Sequence, residues 1–104
     1  MDTEKRLGKI ARIRVGFDAD RNRFGLYVHL SGDRWGANDF TGGEAAAFPS
    51  DGSNADDFAS AMDFAAELCT DAGVLGVDEL RGKPVVATFQ DGELQTWRIA
   101  TEAI

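Results

Sequence analysis

The sequence predicts an α+β domain: an antiparallel sheet of about five strands with one main helix packed on one face, in the order β-β-β-α-β-β. Three observations carry this reading. Short runs on both sides of the chain's middle alternate apolar and polar residues. One stretch, Ala55 to Ala72, repeats its apolar residues with a helical period instead. Clusters of Asp, Asn, Gly and Ser separate the runs at hairpin spacing.

Residues 1–104 read as one domain, with the charged residues 1–8 as a flexible N-terminus. Ala11, Ile13, Val15 and Phe17 alternate with Arg12, Arg14 and Gly16, so Lys9 to Phe17 is the first strand. Asp18 to Arg23 is rich in turn formers. In a second strand, Phe24 to Leu30, Phe24, Leu26, Val28 and Leu30 share one face while Tyr27 and His29 share the other. Ser31-Gly32-Asp33 makes the next turn, and Arg34 to Phe40 the third strand. Thr41 to Ser53 contains Gly42, Gly43, Pro49 and Gly52 and reads as a long loop, with room for one helical turn at Glu44 to Phe48.

Asn54 is suited to cap the helix that follows, and Asp56 and Asp57 complement the positive end of its dipole. Phe58, Met62, Ala65, Cys69 and Ala72 form its apolar stripe, which Phe64 and Leu68 widen. Gly73 supplies a left-handed stop. Val74 to Leu80 is a connector with one turn at Asp78-Glu79-Leu80. Pro84 to Gln90 and Glu93 to Thr101 are strands joined by Asp91-Gly92, a strong two-residue hairpin signal. One helix is too narrow to cover five strands. The far sheet face is therefore expected to stay exposed, with Arg12, Arg14, Tyr27 and His29 on it.

The chain's 104 residues suffice for one core, and 43% hydrophobic with 28% charged residues excludes wholesale disorder. No apolar run approaches the roughly 18 residues of a membrane span. The charged N-terminus lacks a secretory apolar segment, and Cys69 is the only cysteine, which together point to the cytoplasm.

The net charge of −7 is unevenly distributed. Met1 to Arg34 carries +3, Trp35 to Leu80 carries −10 without a single Lys or Arg, and Arg81 to Ile104 is neutral. A segment of that sign repels nucleic acid and membrane surfaces and attracts basic partners.

No motif in the chain specifies catalysis, a metal or a cofactor. Asp18-x-Asp20-x-Asn22 opens like a calcium loop, but that pattern then wants Gly and Glu where Arg23 and His29 stand, so it reads as a polar hairpin turn. His29 has no orienting partner nearby in sequence and reads as a surface or edge-strand residue. Cys69 sits on the apolar stripe, far from the basic or helix-start setting of a reactive thiolate. Gly32 and Gly42-Gly43 are too sparse for a phosphate loop, and the acidic surroundings disfavour nucleotides. The basic N-terminal third lacks the aromatic interleaving of a single-strand platform.

Trp35-Gly36 followed by Asp39-Phe40, then Leu80-Arg81-Gly82-Lys83-Pro84-Val85, then Trp97-Arg98-Ile99-Ala100-Thr101-Glu102 resemble small proteins encoded by phages and prophages. The resemblance runs from about Lys9 to the C-terminus and rests on turn and core residues. It implies action on a host or viral macromolecule, carries over no catalytic residue, and leaves an anti-defence role open.

The functional expectation is a non-enzymatic binding protein that blocks a basic, nucleic-acid-binding site on a host defence protein, in the manner of an anti-CRISPR inhibitor. Asp63, Glu67 and Asp71 follow one another at i, i+4, which sets them along one helical ridge with about 6 Å between steps. Asp56 lies two turns before, and Asp57, Glu44, Asp51 and Asp39 add to the field if the loop folds nearby. The plainer alternative is a solvated helix face that keeps an acidic protein soluble. A third reading is a virion structural or assembly protein, or another homo-oligomer, that associates through the exposed sheet face with Trp35 or Trp97.

Overall fold

Period-two alternation becomes a single five-stranded antiparallel sheet in the computed structural model, which describes residues 3–18, 20–44 and 55–103. The strands are β1 (Thr3–Asp18), β2 (Arg23–Gly32), β3 (Trp35–Glu44), β4 (Pro84–Gln90) and β5 (Glu93–Ile99). The helix α1 (Ala55–Ala72) follows β3, a 3-10 turn covers Val77–Leu80, and another closes the chain at Thr101–Ala103. The chain order is the expected β-β-β-α-β-β, but the sheet order is β3-β2-β1-β4-β5, with the first strand in the middle.

β1 is central because it serves two partners. Its first part, from Thr3 to Lys9, pairs with β4, and Gly8 to Asp18 pairs with β2. Of the eight residues expected to be flexible, Thr3 to Gly8 are strand, paired with β4. The register shifts between Ile10 and Arg12, where Ala11 forms a bulge that bends the strand. On the β4 side, beyond Lys9, the backbone of Ile10 bonds Lys83 O and Gly82 N.

β3 also runs further than expected. Thr41 to Glu44 continue it, opposite Leu26 to Arg23, where the sequence reads as loop. Glycine usually weakens a strand, but here it permits a close approach. A Cβ on Gly42 would lie 2.8 Å from the Cα of Gly25 and 2.9 Å from the Phe40 ring. Glu44, expected to open a helical turn, ends β3 instead; the rest of that turn, at 45–48, and the Asn54 cap lie outside the described residues. At the other end β5 stops at Ile99, and Thr101 belongs to the closing 3-10 turn.

The helix ends as expected. Gly73 takes φ +71°, Val74 N–H donates to Cys69 O at 3.0 Å and Gly73 N–H to Thr70 O at 3.2 Å, the paired bonds of a Schellman stop. Ala61, Ala65, Leu68 and Ala72 face the sheet, and three alanines let α1 approach it closely. The core joins them to Ile10, Leu26, Val28, Leu30, Val85, Ala87 and Ile99, with Leu80 of the 3-10 turn closing one end. Burying each large aliphatic side chain contributes about 1.5–3 kcal/mol.

Two indoles tie the strands together on this side. The Trp35 ring lies over Gly32 and Gly8 and meets Phe89 edge-on at 5.2 Å. Trp97 meets Phe64 of α1 edge-on at 5.3 Å and donates its Nε1–H to Asp39 Oδ2 at 2.8 Å. That bond joins β5 to β3, the two edges of the sheet. In a flat sheet four strand spacings would separate them by about 19 Å. The sheet is therefore curled around α1.

Candidate functional site

Asp63, Glu67 and Asp71 are all exposed, on the side of α1 turned away from Ala61, Ala65, Leu68 and Ala72. Their i, i+4 spacing makes one ridge about 12 Å long. Among the described residues, no Lys or Arg forms an ion pair with any of the three. Three of the eight carboxylates nominated from the sequence are thus placed together.

Asp39 is separated from that ridge. It lies on the helix side of β3, half-buried, and its carboxylate is held by the Trp97 indole. Its role is to close the curl of the sheet. The side chains of Glu44, Asp56 and Asp57, and all of Asp51, lie outside the described structure. The assembly reading joined Trp35 or Trp97 to the exposed sheet face, but both pack on the helix side, Trp97 buried and Trp35 half-buried.

The uncovered face of β1, β2 and β3 carries the opposite charge. Register places Arg12, His29 and Asn38 in one row across the three strands, and Arg14, Tyr27 and Phe40 in the next. The third row is Gly16, Gly25 and Gly42, over which the Arg14 guanidinium and the Phe40 ring lie. The result is a groove of about 960 Å³ whose lining includes five arginines: Arg12, Arg14, Arg21, Arg23 and Arg81.

Arginines and aromatic rings interleave on this face. The Arg14 guanidinium sits 4.7 Å from the Tyr27 ring centre, Tyr27 lies 4.7 Å from Phe40, and the Arg23 guanidinium sits 4.1 Å from Phe40. Cation–π contact and stacking hold both guanidinium groups in fixed orientations. Asp18 anchors the far end, accepting from Arg21 at 3.2 Å with Arg23 at 3.8 Å. Burial pushes the Asp18 carboxyl up, but the Arg21 hydrogen bond and charge and the amides of Arg21 and Asp20 outweigh it and hold it below the usual range.

Sequence distance hid this assembly. Tyr27 and Phe40 are interleaved with arginines only after three strands pair, so the aromatic interleaving that the linear chain lacks is present in space. His29 is likewise in an inner strand, not at an edge, and it has a partner: its Nδ1 lies 2.7 Å from Asn38 Oδ1. The amide oxygen can only accept, so Nδ1 carries the proton and Nε2 is left as an acceptor in the neutral ring.

Cys69 is half-buried on α1. Burial, then the charges of Glu79 and Asp78, push its thiol up, away from the thiolate form that reacts. Among the described residues no group of three His, Cys, Asp or Glu side chains is placed to hold a metal. Among them, too, no helix is long and apolar enough to cross a membrane. Comparison with family models, curated proteins and solved structures finds no match for the chain.

Proposed function

We propose that this chain is a non-enzymatic binding protein that offers the carboxylate ridge of α1 to a positively charged, nucleic-acid-binding surface on another protein. One observation carries the reading: Asp63, Glu67 and Asp71 stand exposed in a line, and no described cation pairs with them. Like charges at i, i+4 cost a helix a few tenths of a kcal/mol per pair. Regularly spaced negative charge of this kind competes with a phosphate backbone for a basic groove, and it accelerates encounter with such a groove. Taken with the resemblance to phage-encoded proteins, the partner is a host defence nuclease or its complex, and the inhibition is of the anti-CRISPR kind, exerted in the host cytoplasm.

The test is competition. Purified RNA-guided nuclease complexes are bound to labelled DNA, and the chain is added over a range of salt concentrations. Displacement of DNA should weaken as salt rises. Reversing Asp63, Glu67 and Asp71 to Lys should abolish it while the circular dichroism spectrum and melting temperature are kept. Equal displacement by the reversed protein rules the ridge out as the binding surface.

A further inference from the structure

We propose that the groove on the uncovered face of β1, β2 and β3 binds a mononucleotide, a small ligand that joins a phosphate to a planar heteroaromatic base. This site lies on the opposite side of the sheet from the α1 ridge and does not depend on the function proposed for that ridge.

The groove's volume of about 960 Å³ is of the size that encloses small ligands. The Arg12 and Arg81 side chains make no hydrogen bond or ion pair with any described residue, so their forks are available to phosphate oxygens. The Arg14 guanidinium is already ordered by Tyr27, which lowers the entropy lost on binding, and as an exposed side chain it leaves a planar surface for a base to stack on. Beside it, the His29–Asn38 bond leaves an imidazole nitrogen that accepts and an amide nitrogen that donates. Each of these groups can hydrogen-bond one position on the edge of a nucleobase.

A longer single strand fits less well. Strand-binding platforms stack successive bases on bare ring faces. Here Tyr27 and Phe40 cover one another and are covered by Arg14 and Arg23. The net charge of −7 does not forbid an anionic ligand. The molecule is 21 Å across its thinnest dimension, and the carboxylate ridge is on the far side of the sheet. Fields decay over about 8 Å at physiological salt, so the ridge is screened from the groove.

Titration of the full chain by calorimetry and by amide NMR tests the proposal, with AMP, GMP, CMP and UMP, inorganic phosphate, adenosine and a ten-residue oligothymidylate as probes. At least one mononucleotide should saturate, about tenfold or more tighter than phosphate or adenosine alone, and shift the amides of Arg12 to Arg14, Tyr27 to His29 and Asn38 to Phe40. Arg12→Gln with Arg14→Gln should weaken it about tenfold or more, and Arg81→Gln, which removes no aromatic contact, should weaken it severalfold with an unchanged melting temperature. Reversal of the α1 ridge should leave it in place. The proposal is overturned if no mononucleotide saturates, if phosphate alone binds as tightly, if the arginine variants bind normally, or if the oligonucleotide binds and the mononucleotides do not.

Discussion

Replacing Asp39 by alanine tests how the curled sheet is closed. The Asp39 carboxylate accepts from Trp97 Nε1–H at 2.8 Å, and Trp97 is 7% exposed. Hydrogen bonds to charged groups contribute about 1.5–3 kcal/mol, and the substitution also leaves the indole N–H buried without an acceptor. A loss of about 2–3 kcal/mol follows. For a domain of this size that lowers the melting temperature by roughly 8–24 °C. Asp39→Asn retains an accepting oxygen and should lose about half as much. Urea and thermal unfolding of Asp39→Ala, Trp97→Phe and the double variant give the coupling between the two residues, expected at about 1–2 kcal/mol. Losses that simply add, or a loss in Asp39→Ala below about 0.5 kcal/mol, would refute the idea that this bond holds the sheet edges together. Asp39→Asn should also leave DNA displacement unchanged, because Asp39 is outside the ridge.

Two further outcomes follow from the titrating groups. Burial, then Glu79 and Asp78, raise the Cys69 thiol, so the folded chain holds its proton more tightly than the unfolded chain does. The associated stability is present below about pH 8.5 and is lost as pH rises through the folded value. At pH 8 a thiol reagent should modify native Cys69 much more slowly than the urea-unfolded chain, and equal rates would show the thiol to be open. For Asp18 the sign is opposite: its folded carboxyl lies below the unfolded value, so its contribution is present above about pH 4 and is lost as pH falls through the folded value. An NMR titration should find the Asp18 midpoint depressed, and Arg21→Gln should raise it; an unmoved midpoint contradicts the assignment of Arg21 as the partner.

Local pattern made much of this fold legible. Ala55 to Ala72 has both periodicity and a glycine stop, and Pro84 to Gln90 with Asp91-Gly92 has alternation and turn chemistry, so local and tertiary preferences agree. The missed segments are those where tertiary context decides. Thr3 to Gly8 is mostly polar and becomes strand because β4 pairs with it, and Thr41 to Glu44 becomes strand because Gly42 lets β3 lie against Gly25. The carboxylate ridge needs only helical spacing and could be read directly. The groove could be read in part: alternation puts Arg12, Arg14, Tyr27 and His29 on the uncovered face. What joins Arg14 to Tyr27, Tyr27 to Phe40 and His29 to Asn38 is cross-strand register, which a linear pattern does not contain. Asp39 misled because its negative charge was counted while its partner, Trp97, lies 58 residues away.

The chain keeps opposite charges on opposite sides of one sheet: carboxylates along α1 and guanidinium groups over β1, β2 and β3. Amide-resolved relaxation enhancement by a matched pair of cationic and anionic nitroxide probes measures the near-surface potential along the chain. The cationic probe should be enriched over Asp63 to Asp71 and the anionic probe over Arg12 to Arg14 and Arg21 to Arg23. A negative potential over both regions, as the net charge alone would give, would contradict it.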